Sequence, residues 1–150
     1  MNTKKHLLFR LVAIILIAIC IFSITATAVE PRASDYLAAY SAYIYPAGWG
    51  KVQVWFEVNG TGDMDEIGAL EIMIYESKDN ATWYWVDTYT YNDHEGMLGY
   101  NDYYHGGHIE YNGTIGRYYK AYVCVWAGKN GAGDTRYFWT NVEKATLFKG

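Results

Sequence analysis

The densest group of potential ligands in the chain spans residues 93–110, which include His94, Glu95, Asp102, His105, His108 and Glu110. Imidazole nitrogens and carboxylate oxygens are donors that zinc accepts, so His105-x-x-His108 with Glu110 nearby could supply a three-ligand site. The same spacing arises often by chance, and the surrounding Gly- and Tyr-rich stretch reads as a solvated loop. Asp63, Asp65 and Glu66 offer oxygens for calcium without the spacing of a calcium loop. Asp87 and Glu110 both neighbour aromatic residues, the setting of a carboxylate pair for glycoside hydrolysis, but any two of 16 acids could meet in space. No G-x-S-x-G occurs, and Cys124 lies in a strand pattern, so nucleophilic catalysis has no motif. No cofactor is expected, and a metal is expected only if His105, His108 and Glu110 converge.

Aromatic rings are the larger chemical resource. The chain holds 16 Tyr, six Trp and five Phe. Alternation places Tyr43, Tyr45, Trp55, Tyr122 and Trp126 on faces turned away from the core, and Tyr103 and Tyr104 lie in the polar stretch. Exposed rings stack on sugar faces or anchor protein partners, because they offer large area with few rotors to freeze. A contiguous patch of them marks an interaction site, whereas scattered ones are ordinary. These seven residues are the expected ligand-binding set. The competing reading is that loops or a second subunit cover both faces.

The elements that must hold these rings are strands. Val52, Val54, Phe56 and Val58 alternate with Lys51, Gln53, Trp55, Glu57 and Asn59, which predicts a strand over residues 51–59 with the first set inward. Residues 40–45 form another, joined through Pro46-Ala47-Gly48-Trp49-Gly50. Residues 35–40 fit either a helical turn or a first strand. Asn59-Gly60-Thr61-Gly62-Asp63 reads as a turn, leading to a third strand over residues 67–76 with Leu70, Ile72 and Ile74 on one face. In residues 82–91, Trp83, Trp85, Asp87, Tyr89 and Tyr91 share a face. Residues 92–107 are expected to be a long polar loop, and 108–111 a short strand. Residues 117–127 alternate Tyr119, Ala121, Val123 and Val125 against Tyr118, Lys120, Tyr122, Cys124 and Trp126. A hairpin loop at 129–134 returns the chain through a closing strand at 135–141. Seven or eight short strands with turns between them predict an all-β, antiparallel β-sandwich.

Residues 1–28 read as an export signal. Lys4, Lys5 and Arg10 precede an apolar run over residues 11–24, and Ala26-Thr27-Ala28 matches a signal-peptidase site. The run is shorter than the roughly 20 residues of a spanning helix, so a secreted domain over residues 29–150 is expected, with no stable membrane insertion. The signal holds three of the 12 basic residues and none of the 16 acidic ones, leaving nine basic against 16 acidic and a charge of −7. That balance argues against nucleic acid, which needs clustered Lys and Arg. Cys20 falls in the signal, so Cys124 is left without an internal partner and reads as a small buried hydrophobe.

Tyr75-Glu76-Ser77-Lys78-Asp79-Asn80-Ala81-Thr82-Trp83 resembles the S-x-D-x-x-T-W hairpin of extracellular β-sandwich modules. Gly116-Arg117-Tyr118-Tyr119 resembles the entry to a late immunoglobulin-type strand. Asp35-Tyr36-Leu37, Tyr45-Pro46-Ala47-Gly48, Gly99-Tyr100-Asn101-Asp102-Tyr103-Tyr104-His105 and Arg117-Tyr118-Tyr119-Lys120-Ala121-Tyr122-Val123 are similar to a family of small secreted proteins of Gram-positive bacteria with no assigned function. The last resemblance implies export and a β-fold and supplies no activity, and the strand-entry motif implies that the β-sandwich is immunoglobulin-like. Tyr104-His105-Gly106-Gly107-His108 is similar to secreted β-sandwich bacteriocins. Three functions follow as expectations. The first is a non-enzymatic module binding a cell-surface glycan or protein through its outward rings. The second is a bacteriocin-like antagonism protein, and the third a small metal-dependent hydrolase.

Overall fold

The computed structural model describes residues 34–149. The expected export signal, its cleavage site and Cys20 lie outside the described residues. Every regular element among the described residues is a strand: β1 (Leu37–Gly48), β2 (Lys51–Ser77), β3 (Tyr84–Thr90), β4 (Leu98–Asn112), β5 (Tyr118–Lys129), β6 (Ala132–Trp139) and β7 (Glu143–Lys144). All the pairings are antiparallel. The expected all-β antiparallel architecture is therefore what the chain adopts, and residues 37–40 resolve as strand rather than helical turn.

The long strand β2 organises the sheet. One of its borders pairs first with β1 and then with β5, the other first with β4 and then with β3. Its first half, between β1 and β4, makes one layer. Its second half, between β3 and β5 with β6 beyond, makes the other. The two expected strands at 51–59 and 67–76 are thus one element. The Asn59–Asp63 cluster bends the strand instead of reversing it, and pairing with β4 slips between Asn59 and Met64 at this bend. Val52, Val54, Phe56 and Val58 are fully buried from the first layer, and Ile67, Ala69, Ile72, Ile74, Val123 and Val125 from the second, in one core.

Two bulges shift which residues face that core. The first inserts Leu70 between Ala69 and Glu71 opposite β5, so the inward phase passes from Ile67 and Ala69 to Ile72 and Ile74. Leu70, expected in line with Ile72 and Ile74, is only half-buried. The second lies in β3, where Ile74 opposes Asp87 but Tyr75 opposes Trp85. Asp87 and Tyr89 consequently take inward positions and Trp85 an outward one, which splits the single face expected over residues 82–91.

The expected loop at 92–107 is mostly strand. Only residues 91–97 turn, and β4 then pairs with β2 from Gly68↔Leu98 to Lys51↔Asn112. Its outward residues are polar and its inward ones include Gly107, whose added Cβ would meet the Phe56 ring at 2.8 Å. Up to Gly107 the strand supplies backbone hydrogen bonds and room for a neighbour's ring and so shows no apolar alternation, whereas its end, with Ile109 buried, contains the short strand expected at 108–111. Past β6, Asn141 takes up the free edge of β1: its Oδ1 accepts from the Ile44 N–H at 2.9 Å, and its Nδ2 donates to the Ile44 carbonyl at 3.2 Å.

Candidate functional site

The two layers each turn a row of rings outward. On the first, inward Val52 and Val54 force Gln53 and Trp55 to the surface, because strand side chains alternate. The register aligns Tyr43 on β1, Trp55 on β2 and His108 on β4 in one row, and Tyr45, Gln53 and Glu110 in the next. Trp55 and His108 stack with centroids 4.4 Å apart and planes 15° from parallel. Tyr43 meets Tyr45 edge-on at 4.9 Å. A polar chain runs beside the rings. Lys51 Nζ donates to Glu110 Oε1 at 2.6 Å, Gln53 Nε2 to Glu110 Oε2 at 3.2 Å, and Trp55 Nε1 to Gln53 Oε1 at 3.3 Å. Hydrogen bonds from Lys51 and Gln53 hold the Glu110 carboxyl below its ordinary range. Tyr45, Pro46, Gln53, Trp55 and Lys149 line a cavity of about 260 Å³ over this face.

Of the seven ring residues expected from the sequence, Tyr43, Tyr45 and Trp55 come together here. Tyr104 borders them. Burial raises the Tyr43 phenol above its ordinary value, and Glu57, Tyr45 and Tyr104 add to that rise. Tyr103 is exposed beside it, with Asp102 Oδ1 accepting from both the Tyr103 and Tyr104 amides.

Tyr122 and Trp126 point outward as expected, but from the second layer, on the far side of the core. Tyr122 packs against Tyr137 and Trp139 with centroids 5.7 and 4.7 Å away. Tyr75 meets Trp139 at 5.0 Å. Lys120 Nζ lies 4.5 Å from the Trp83 centroid and 4.2 Å from that of Trp139. Trp126 lies across the β5–β6 hairpin, where added Cβ atoms on Gly128 and Gly133 would strike its ring at 2.5 and 2.4 Å. Its Nε1 is buried without a partner, and the ring as a whole is half-buried. With Tyr100, Asp65, Glu66 and Lys129 it lines a second cavity of about 310 Å³.

The metal candidates do not converge. His108 projects outward beside Trp55, while His105, three residues earlier on the same strand, takes the opposite face. There the His105 ring packs against Phe56, with Nε2 2.7 Å from the Gly96 carbonyl oxygen. Among the described residues no group of three His, Cys, Asp or Glu is placed to hold a metal ion. Asp87 takes an inward position on β3 and Glu110 an outward one on β4, where Lys51 and Gln53 engage its carboxylate. The convergence of His105, His108 and a carboxylate that a metal-dependent hydrolase was expected to need is not present among the described residues.

Sequence reasoning assigned no role to His108 as a stacking partner, to Gln53, or to the second-layer residues Tyr75, Trp83, Trp85, Lys120, Tyr137 and Trp139. Alternation marks the outward position of Gln53 and Lys120. The bulge in β3 hides that of Trp85. Compared with known proteins, the chain matches no family model and no curated sequence.

Proposed function

We propose that this chain is an exported, non-catalytic module that binds a neutral linear glycan across the first layer's outer face. The observation that carries this reading is the row Tyr43–Trp55–His108 running across three strands beside the polar chain Lys51–Glu110–Gln53. Trp55 and His108 each give one face to the other, which leaves their remaining faces and edges, with Tyr43 and Tyr45, for the C–H surfaces of sugars. The adjacent amide donates to hydroxyls and the carboxylate accepts from them. Rings held by a sheet lose little conformational freedom on binding, which favours affinity. The basic and apolar pattern of residues 1–28 supports export.

Titration calorimetry of the purified protein with cello-, xylo- and chito-oligosaccharides tests this. Saturable binding to at least one is expected, weakened by Trp55→Ala about tenfold or more, as for loss of a central ring worth about 1.4 kcal/mol. No heat from any of the three series overturns the glycan reading and leaves a protein partner for this face.

A further inference from the structure

We infer that the outer face of the second layer is a separate site for an acidic sugar, one bearing a carboxylate, sulfate or phosphate. This rests on the reading of the protein as a glycan-binding module. Lys120 stands at an outward position of β5, and its ammonium is held between the indoles of Trp83 and Trp139. Tyr75 and Tyr122 pack against Trp139 at centroid distances of 5.0 and 4.7 Å. One turn of the pleat away, Lys144 Nζ sits 5.2 Å from the Tyr118 ring centroid, with Tyr118 and Lys144 paired across β5 and β7.

Neither lysine has an acidic counter-ion. The ion pairs among the described residues are Lys51–Glu110 and Arg117–Glu76. Of the acids facing outward from the second half of β2, Glu71 opposes Cys124, two rows from Lys120 in the register, and Glu66 opposes Gly128, farther still. Cation–π contact fixes an ammonium over a ring without consuming its N–H donors. In a chain with an acidic excess, an uncompensated cation set among rings is complementary to an anion attached to something flat. Trp85, Tyr137 and Trp139 are 61, 54 and 47 % exposed and supply the flat surface for a pyranose ring. The first face contrasts with this one. Its Lys51 is spent on Glu110, Glu57 adds another carboxylate, and its remaining cation, Lys149, lines the cavity without a ring stacked on its ammonium.

The test uses the purified protein, titrated with oligogalacturonate, a heparin-derived oligosaccharide and a phosphate-bearing mannan fragment, against a neutral galacto-oligosaccharide. These three acidic probes separate the carboxylate, sulfate and phosphate sources. In the Trp55→Ala variant, where a neutral sugar on the first face no longer reports, saturable quenching of the remaining tryptophans is expected from at least one acidic probe, with none from the neutral one at equal concentration. That binding weakens as sodium chloride is raised, because the ammonium is screened. Lys120→Gln lowers the affinity about tenfold or more, Lys120→Arg restores it, and Trp55→Ala leaves it unchanged. In that variant, equal response to the neutral probe, no response to any acidic probe, or indifference to Lys120→Gln overturns the inference. So does a concentration-dependent dimer abolished by Trp139→Ala, which would make the face a self-interface. Neutral-glycan binding that persists through Trp55 while the acidic probes fail sinks this inference alone. The reverse pattern sinks the first-face reading alone.

Discussion

At the scale of single residues, Tyr119 carries the most polar obligations in the core. Its ring is fully buried. Its hydroxyl donates to Glu76 Oε2 at 2.5 Å and accepts from the Thr114 amide at 2.8 Å. Glu76 in turn stands 3.5 Å from Arg117 Nη1. Tyr119→Phe keeps the packing but strands both partners, so it should cost about 1–3 kcal/mol in urea unfolding. Burial, followed by the bond to Glu76, pushes the Tyr119 phenol up to about 12. In the unfolded chain it ionises near the ordinary value of 10. The stability that this difference represents is complete below about pH 10 and disappears as pH rises toward about 12. Wild-type protein should therefore lose more stability than Tyr119→Phe between about pH 9 and about pH 11. Tyr89 is also pushed up to about 12, chiefly by burial, and it contributes in the same direction to both proteins. Cys124 is the other buried titratable group, and desolvation raises its thiol. A thiolate is the reactive form, so alkylation of folded protein should be far slower than of protein in denaturant.

At the scale of elements, the path of β2 depends on Gly68. Its φ is +148°, and an added Cβ would lie 2.2 Å from the Met97 carbonyl oxygen, which already accepts from the Ala69 amide at 2.8 Å. Gly68→Ala must break that contact between β2 and the turn before β4, so thermal unfolding should show a loss above about 2 kcal/mol. Gly62→Ala, with nothing within 4 Å of the new Cβ, should stay within about 0.5 kcal/mol. The same region marks where the amino-acid pattern stops being readable. Residues 51–59 announce a strand, because every second residue is aliphatic or aromatic and faces one core. Most of β4 carries no such signal: up to Gly107 it supplies backbone pairing and space for the Phe56 ring, and only its end, where Ile109 enters the core, alternates. The bulges at Leu70 and in β3 are equally silent: each moves the inward phase by one residue, and nothing local to Val86 shows that Asp87 turns inward. Outward placement of Tyr43, Tyr45, Trp55, Tyr122 and Trp126 was legible from alternation alone. Their division between two layers was not, because it depends on β2 passing through both. The row of Tyr43, Trp55 and His108 likewise exists only through a register between three strands.

At the scale of the whole described unit, the two aromatic faces stand back to back with the core between them. Packed layers lie about 10 Å apart, and residues farther apart than about 7–10 Å with no shared partners act independently. Trp55 touches Gln53 and His108, whereas Lys120 touches Trp83 and Trp139, so the two sites share no side chain. Both belong to the surface, and neither Trp55→Ala nor Lys120→Gln opens the cluster of Val54, Ile72, Ile74 and Val123 that joins the layers. The double variant should then show each single loss of affinity unchanged, with the binding free energies adding to within about 0.5 kcal/mol. Calorimetry with a neutral and an acidic oligosaccharide, singly and together, measures this directly. Coupling well above that margin would mean that one ligand reaches round a sheet edge to both faces, and the description as two sites would give way to a single encircling one.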